Sequence, residues 1–294
     1  MTSSRENVLF ITLDSCRFDT FANGCAPNIR AVAPLHQAQA PSYFTYGSHS
    51  AMFAGFTPGI PGAAEPFLDP KFGKLFKLVG AGHPGKGSEG FELSGRNIVE
   101  GFRARGYSTI GTAAMGWFDP ATPTAAHLIG SFEHFFYAGP YFLRQQVAWV
   151  EERLSAATAP TFTFINVGET HVPYWHEGAP WEADDNPCRP FQDVDRSAEC
   201  RERQSACLAF ADTQLGPLLE RHRDGTIIVC GDHGDCWGED GVWEHGIMHP
   251  MTTTVPLLIR HRGAPVTRRA HAPGQTRTSA LSRLAQRFNF VRAQ

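Results

Sequence analysis

Residues Asn7–Asp14, NVLFITLD, decide the fold. The run is apolar without interruption, rich in β-formers, and stops at an acid. A strand wetted on one face alternates apolar and polar residues, whereas a parallel strand covered on both faces does not, so this stretch reads as a buried central strand. Tyr107–Ala113, Thr161–Val167 (TFTFINV) and Thr226–Cys230 (TIIVC) share its character, and Val255–Arg260 (VPLLIR) adds a late strand. Helical patterns over residues 97–105, 141–156 and 193–221 lie between them. Strands alternating with helices imply right-handed crossovers and a mainly parallel sheet. The expected fold is α/β: one three-layer α/β/α domain over residues 1–294, with a mostly parallel central sheet and a short C-terminal part after Arg260.

The bulk properties narrow the classes. A chain of 294 residues buries roughly 75% of its unfolded surface and needs no disulfide or structural metal for stability. Its net charge of -3 argues against a nucleic-acid binder, which would show a strongly basic face. No run approaches 18 apolar residues, so no membrane span is expected. The seven cysteines form no Cys-x-x-Cys pair of the zinc-site kind. With MTSSREN leading straight into a strand, without signal-peptide character, a cytoplasmic setting is expected. The stretch Val79–Gly90 (VGAGHPGKGSEG) approximates a phosphate-binding loop but has Gly87 where Ser or Thr would hold magnesium, so it reads as a surface loop. Residues 174–200, with three prolines, two tryptophans and several acids, read as a lid or substrate loop.

Ligands of open α/β sheets collect at the carboxyl ends of the strands. Three apolar runs deliver polar residues there: Asp14 after the first, Gly168-Glu169-Thr170-His171 after TFTFINV, and Gly231-Asp232-His233-Gly234-Asp235 after TIIVC. Any one of these alone reads equally well as a helix cap or solvated turn. Together, with His245 and His249 further on, they read as a metal site whose oxygen and nitrogen donors suit zinc, manganese or magnesium.

In order along the chain, several segments resemble one family. NVLFITLDSCRFD is similar to the opening strand of the alkaline phosphatase and sulfatase superfamily, with Arg17 and Asp19 at that family's spacing. Ala26-Pro27-Asn28 resembles its Pro-Asn segment, and Phe44–Gly55 its nucleophile segment, with Thr45 three residues before Ser48. Gly231–Gly246 resembles the late metal segment, and Val255-Pro256-Leu257 the strand after it. The resemblance implies a metal-dependent hydrolase or group transferase with Thr45 as nucleophile and Asp14, Thr45, Asp232 and His233 around one firmly held divalent ion. His171 and His245 would contact phosphoryl oxygens or the leaving group, and Ser48 and His49 would bind substrate. A second ion, assembled from Glu169, His245 or His249, stays open, because the Asp-x-x-x-His motif of two-metal members is missing.

The departures select a branch. Sulfatases carry Cys or Ser, oxidised to formylglycine, where this chain has Thr45; a second Asp where it has Ser15; and Pro and Arg where it has Gly47 and His49. Threonine is what the phosphodiesterase and the phosphoethanolamine- or glycerolphosphate-transferase branches use. The expected substrate is therefore a small phosphorylated or otherwise anionic metabolite. The alternatives are a sulfatase-like hydrolase, a mutase or a lyase, and, from another class, a non-catalytic ligand-binding relative.

Overall fold

The computed structural model describes residues 6–55 and 97–263. Val79–Gly90 and the part after Gly263 lie outside the described residues. The strands are β1 (Val8–Leu13), β2 (His36–Gln39), β3 (Ser108–Ala113), β4 (His134–Tyr137), β5 (Thr161–Val167), β6 (Thr226–Gly231), β7 (Cys236–Trp237), β8 (Trp243–Glu244) and β9 (Thr254–Arg260). Seven of them form one sheet in the order β2-β9-β6-β1-β5-β3-β4, and β7 and β8 pair as a small hairpin. The five strands from β6 to β4 run parallel, β9 runs antiparallel beside β6, and β2 at the edge pairs antiparallel with β9 and so points the same way as the five.

The uninterrupted apolar character of β1 follows from its place in the middle of this sheet. Leu9, Ile11 and Leu13 enter one core, with Ile165, Val167, Ile227 and Val229 from its neighbours. Helix Leu143–Ala156 covers that face with Leu143, Val150 and Leu154, and helix Ser197–Arg221 with Leu208, Ala211, Leu215 and Leu218. Val8 and Phe10 point the other way, into an aromatic core. There Tyr46 and Phe53 of helix Thr45–Ala54 and Val99 of helix Ile98–Ala104 pack on Phe162 and Phe164. Helices on both faces make the three layers. Among the described residues, no helix is long and apolar enough to cross a membrane.

Two helices start later than their patterns suggest. Tyr141 sits at φ 66°, outside helical space, so its helix begins at Leu143. Asp195 accepts the backbone N–H of Ser197 at 2.8 Å, and the long helix starts there rather than at Asp193. The edge strands β2 (HQAQ) and β4 (HFFY) escape a reading based on apolar runs, being four residues each and neither of them fully buried.

Register then places the functional ends. Leu13 lies opposite Val167 on one side and Gly231 on the other, so the residues that follow (Asp14, Gly168 and Asp232) form one row at the carboxyl edge of the sheet.

Phe164 centres the aromatic face, edge-on to Phe10 at 5.6 Å and to Phe53 at 5.1 Å between ring centroids. Replacing it with Ala should cost about 3–5 kcal/mol in urea unfolding, the usual range for a fully buried phenylalanine. A loss under about 1 kcal/mol would show that this face packs loosely.

Candidate metal centre

Asp14 and Asp232 leave adjacent strands side by side, and both are fully buried. Each carboxylate is anchored through one oxygen. Asn166 Nδ2 donates to Asp14 Oδ2 at 2.9 Å. The backbone N–H groups of Ser15 and His233 donate to Asp232 Oδ1 at 3.1 and 2.9 Å. The other two oxygens face a common space. Asp14 Oδ1 lies 3.5 Å from His233 Nε2 and 3.4 Å from Thr45 Oγ1. Asp232 Oδ2 lies 3.7 Å from His233 Nε2 and has no hydrogen-bond partner.

Nitrogen Nδ1 of His233 donates to the Gly234 carbonyl at 3.0 Å, which leaves Nε2 as the basic atom toward the carboxylates. Thr45 Oγ1 is 3.3 Å from that nitrogen. Two carboxylates, one imidazole and one hydroxyl, buried with an orphaned carboxylate oxygen among them, fit a divalent cation of the zinc, manganese or magnesium kind. Without a cation, burial and then the Asp14 charge push the Asp232 carboxyl far above its usual range. Burial, followed by repulsion from His245, holds His233 down to about 3, a neutral donor.

Thr45 occupies the first turn of helix Thr45–Ala54, but it is not the cap. Phe44 holds the cap position, and the Thr45 hydroxyl turns toward Asp14 and His233 instead. The first N–H groups of a helix lack internal partners, so this end favours an anion. Gly47 allows the turn to close, since a Cβ there would sit 2.5 Å from Ser42 Oγ and 2.8 Å from the Phe44 ring.

A second group adjoins the first. His233, Asp235 and His245 bring their ligand atoms within 4.8 Å of one another. His245 Nδ1 meets Asp235 Oδ1 at 2.7 Å, and its ring lies 4.4 Å from that of His233 and 5.0 Å from that of His171. Burial would lower His245, but the bond and charge of Asp235 outweigh it and raise its pKa. Burial would likewise raise Asp235, and His245 reverses that. His171 donates through Nδ1 to the Val172 carbonyl at 2.7 Å, leaving its Nε2 open as well.

Four residues expected at the site do other work. Ser48 Oγ donates to the Asp232 carbonyl at 2.6 Å, and His49 donates to the Thr45 carbonyl at 2.8 Å and meets Thr12 Oγ1 at 2.9 Å. Both are fully buried, and through these bonds they brace the nucleophile helix. Glu169 turns to the start of helix Leu143–Ala156, where Oε1 accepts the Leu143 N–H at 2.9 Å, and it is in neither metal group. His249 caps helix Pro250–Thr253 and pairs with Asp240 at 3.1 Å. Asn166, Thr170, Asp235 and Tyr174 complete the site and carried no role in the sequence reading. Thr170 and Asp235 left a signal there only as members of the Gly168-Glu169-Thr170-His171 and Asp-His-Gly-Asp runs. The segment expected as a lid is tied down: Trp181 donates to the Tyr174 carbonyl at 2.9 Å, Asn186 to Glu244 at 3.1 Å, and Asp185 pairs with Arg196 at 2.8 Å. Its last residues, Ser197–Cys200, belong to the long helix.

No protein-family profile matches the sequence, and no curated protein matches it either. Solved structures do. The C-terminal periplasmic domain of EcEptC from Escherichia coli, in complex with Zn, aligns over 89% of this chain and 74% of its own, with TM-score 0.60 and 10% identity. A phosphonate monoester hydrolase of Agrobacterium radiobacter aligns over 87% and 68%, with TM-score 0.56 and 16% identity. A protein in the alkaline phosphatase superfamily from Vibrio parahaemolyticus aligns over 90% and 62%, with TM-score 0.52 and 15% identity. The fold is that of the alkaline phosphatase superfamily. In this alkaline-phosphatase-like sheet, the candidate metal residues sit at the carboxyl ends of the neighbouring strands β1 and β6.

Glu169 yields a pH prediction. Burial raises its carboxyl to about 7, with the Leu143 N–H pulling weakly the other way. A raised native pKa favours the protonated form, so the stability is whole below the unfolded value of 4.5 and declines as pH climbs through about 7. Glu169→Gln removes that decline. Relative to wild type, the variant should gain about 2 kcal/mol between about pH 5.5 and pH 8 in chemical denaturation. A constant difference across that range would place an ionised Glu169 in the native state.

Proposed function

We propose that this chain is a metal-dependent phosphoryl-transfer enzyme, a phosphate-ester hydrolase or a transferase, with Thr45 as nucleophile. The observation that carries the reading is the Thr45 hydroxyl, buried at a helix start within 3.4 Å of Asp14 and His233. Beside it lies the unpartnered Asp232 Oδ2. A divalent ion held by Asp14, Thr45, Asp232 and His233 would lower the pKa of the threonine hydroxyl and neutralise charge on the phosphoryl oxygens. Thr45 Oγ1 gives up its proton to solvent and attacks phosphorus, the ester P–O bond breaks, and the leaving oxygen takes a proton from the imidazolium form of a histidine. Water or a second alcohol then attacks the phosphothreonine, passes its proton to that imidazole, and restores Thr45. The start of the helix, where Thr45 sits, favours an incoming anion. His171 and His245, each with Nδ1 engaged, have Nε2 available for phosphoryl oxygens or for proton transfer. Threonine cannot become formylglycine, which disfavours sulfate-ester chemistry. The proposed substrate is a small phosphorylated or related anionic ester.

Thr45→Ala should abolish hydrolysis of chromogenic phosphate mono- and diesters, by at least about a thousandfold, while most of the bound metal stays, because one donor of four is lost. An active Thr45→Ala enzyme removes the nucleophile from the scheme. Asp232→Asn separates the metal role from a structural one. It should lower metal content and activity together, yet the chelator-stripped variant should resist denaturant better than stripped wild type, since a buried like-charge pair has been relieved. If stripped Asp232→Asn is the less stable of the two, Asp232 serves the fold rather than a cation.

A further inference from the structure

The hydrogen bonds around Asp235 extend beyond the metal group and have a direction. Trp237 Nε1 lies 2.8 Å from the Tyr174 hydroxyl, and that hydroxyl lies 2.8 Å from Asp235 Oδ2. An indole N–H can only donate, so the Tyr174 oxygen accepts from Trp237 and its own proton goes to Asp235. The second carboxylate oxygen, Oδ1, takes the Nδ1–H of His245 at 2.7 Å. Both Asp235 oxygens therefore receive protein donors, and the Nδ1–H of His245 is held on Asp235, which leaves Nε2 as the nitrogen directed away from it. All three inner members of the chain, Trp237, Tyr174 and Asp235, are buried.

Tyr174 is held on its other side too, its carbonyl accepting from Trp181 Nε1 at 2.9 Å. Its backbone lies at φ 60°, and Glu244, directly before His245, lies at φ 62°. Left-handed backbone at non-glycine residues persists only where surrounding contacts enforce it. Here the two strained positions hold the ends of one relay. The relay also joins two strand ends: Tyr174 follows His171 after β5, while Asp235, Trp237 and His245 follow β6.

We infer that Tyr174 is a positioning residue: through Asp235 it orients His245 so that Nε2 serves the leaving-group oxygen, and Asp235 is the partner of this histidine rather than the ligand of a second ion. The inference rests on the phosphoryl-transfer reading. Tyr174→Phe keeps the ring and deletes one hydroxyl. A residue that acts through His245 matters most where the leaving group needs a proton. The variant should therefore lose about 10–100-fold in kcat on an alkyl phosphate ester and under about threefold on the 4-nitrophenyl ester, with KM and metal content unchanged. Equal losses on both esters would reduce Tyr174 to packing and overturn the inference, as would loss of one of two metal equivalents.

A second readout does not depend on turnover. In zinc-loaded protein, side-chain 15N spectra should show His245 as the Nδ1–H tautomer in wild type and as a mixture in Tyr174→Phe. An unchanged tautomer refutes the relay. Should Tyr174→Phe fail to fold, Trp237→Phe removes the indole donor, together with part of the ring under Arg17, and should shift the ester ratio in the same direction; an unshifted ratio overturns the inference. Wild-type protein inactive on every ester, or Thr45→Ala still active, would instead sink the phosphoryl-transfer reading while leaving the tautomer result to decide the relay.

Discussion

Two carboxylates of like charge, Asp14 and Asp232, are buried at the ends of neighbouring strands, and the surrounding structure is arranged around that conflict. Isolated buried charge is expensive, and a close pair of the same sign more so. The chain supplies donors to every carboxylate oxygen it can reach. Asn166 serves Asp14, and the Ser15 and His233 N–H groups serve Asp232. Thr170 and Ser48 bind the two backbone carbonyls, at 2.7 and 2.6 Å. Ser15 reaches its position with a left-handed backbone, φ 57°. After all this, Asp232 Oδ2 is still without a partner, beside a neutral imidazole and a hydroxyl. A cation held there would resolve the conflict.

The same logic extends to a second layer. Arg17 is buried a few residues after Asp14, paired with Asp19 at 2.8 Å and Glu239 at 2.7 Å, and its guanidinium lies 3.9 Å over the Trp237 ring. It also donates to the Asp235 carbonyl at 3.2 Å. The hairpin of β7 and β8, which carries Trp237 and leads to His245, is thereby set against the end of β1 by a satisfied buried cation. Gly234 permits the close approach, because a Cβ there would lie 2.2 Å from the Met251 carbonyl oxygen and 3.2 Å from Arg17 Cγ. The order of small and charged residues between Asp232 and Glu239 is thus a packing requirement as much as a chemical one.

Periodicity made the central strands legible, because burial on both faces leaves runs without polar interruption, as in NVLFITLD and TFTFINV. The polar residues after those runs identified the edge where a site would form. What linear order does not encode is the side on which each residue of a strand-end turn projects. Glu169 and His171 are two positions apart, yet one carboxylate goes to a helix start in the opposite layer while the neighbouring ring joins His233 and His245. Ser48 and His49 lay in the right segment, but the helix turns both inward. The role of Tyr174 is not legible in linear order, since its partner is 61 residues away and only the register of β5 against β1 and β6 makes them neighbours.

The centre is also costly in local terms. A protein organised for stability alone would not bury two adjacent carboxylates, leave one of their oxygens unpaired, or hold Ser15, Tyr174 and Glu244 in left-handed backbone. Both faces of the sheet carry ordinary apolar cores. At this edge several departures gather around one buried carboxylate pair, with Thr45 Oγ1 3.4 Å from Asp14 and the left-handed Ser15 donating its N–H to Asp232, a clustering that functional sites leave in a fold. A packing account treats each as a separate defect. A cation held between Asp14 and Asp232 would offset the like charge of the pair and give Asp232 Oδ2 the partner it lacks, so that one group accounts for both.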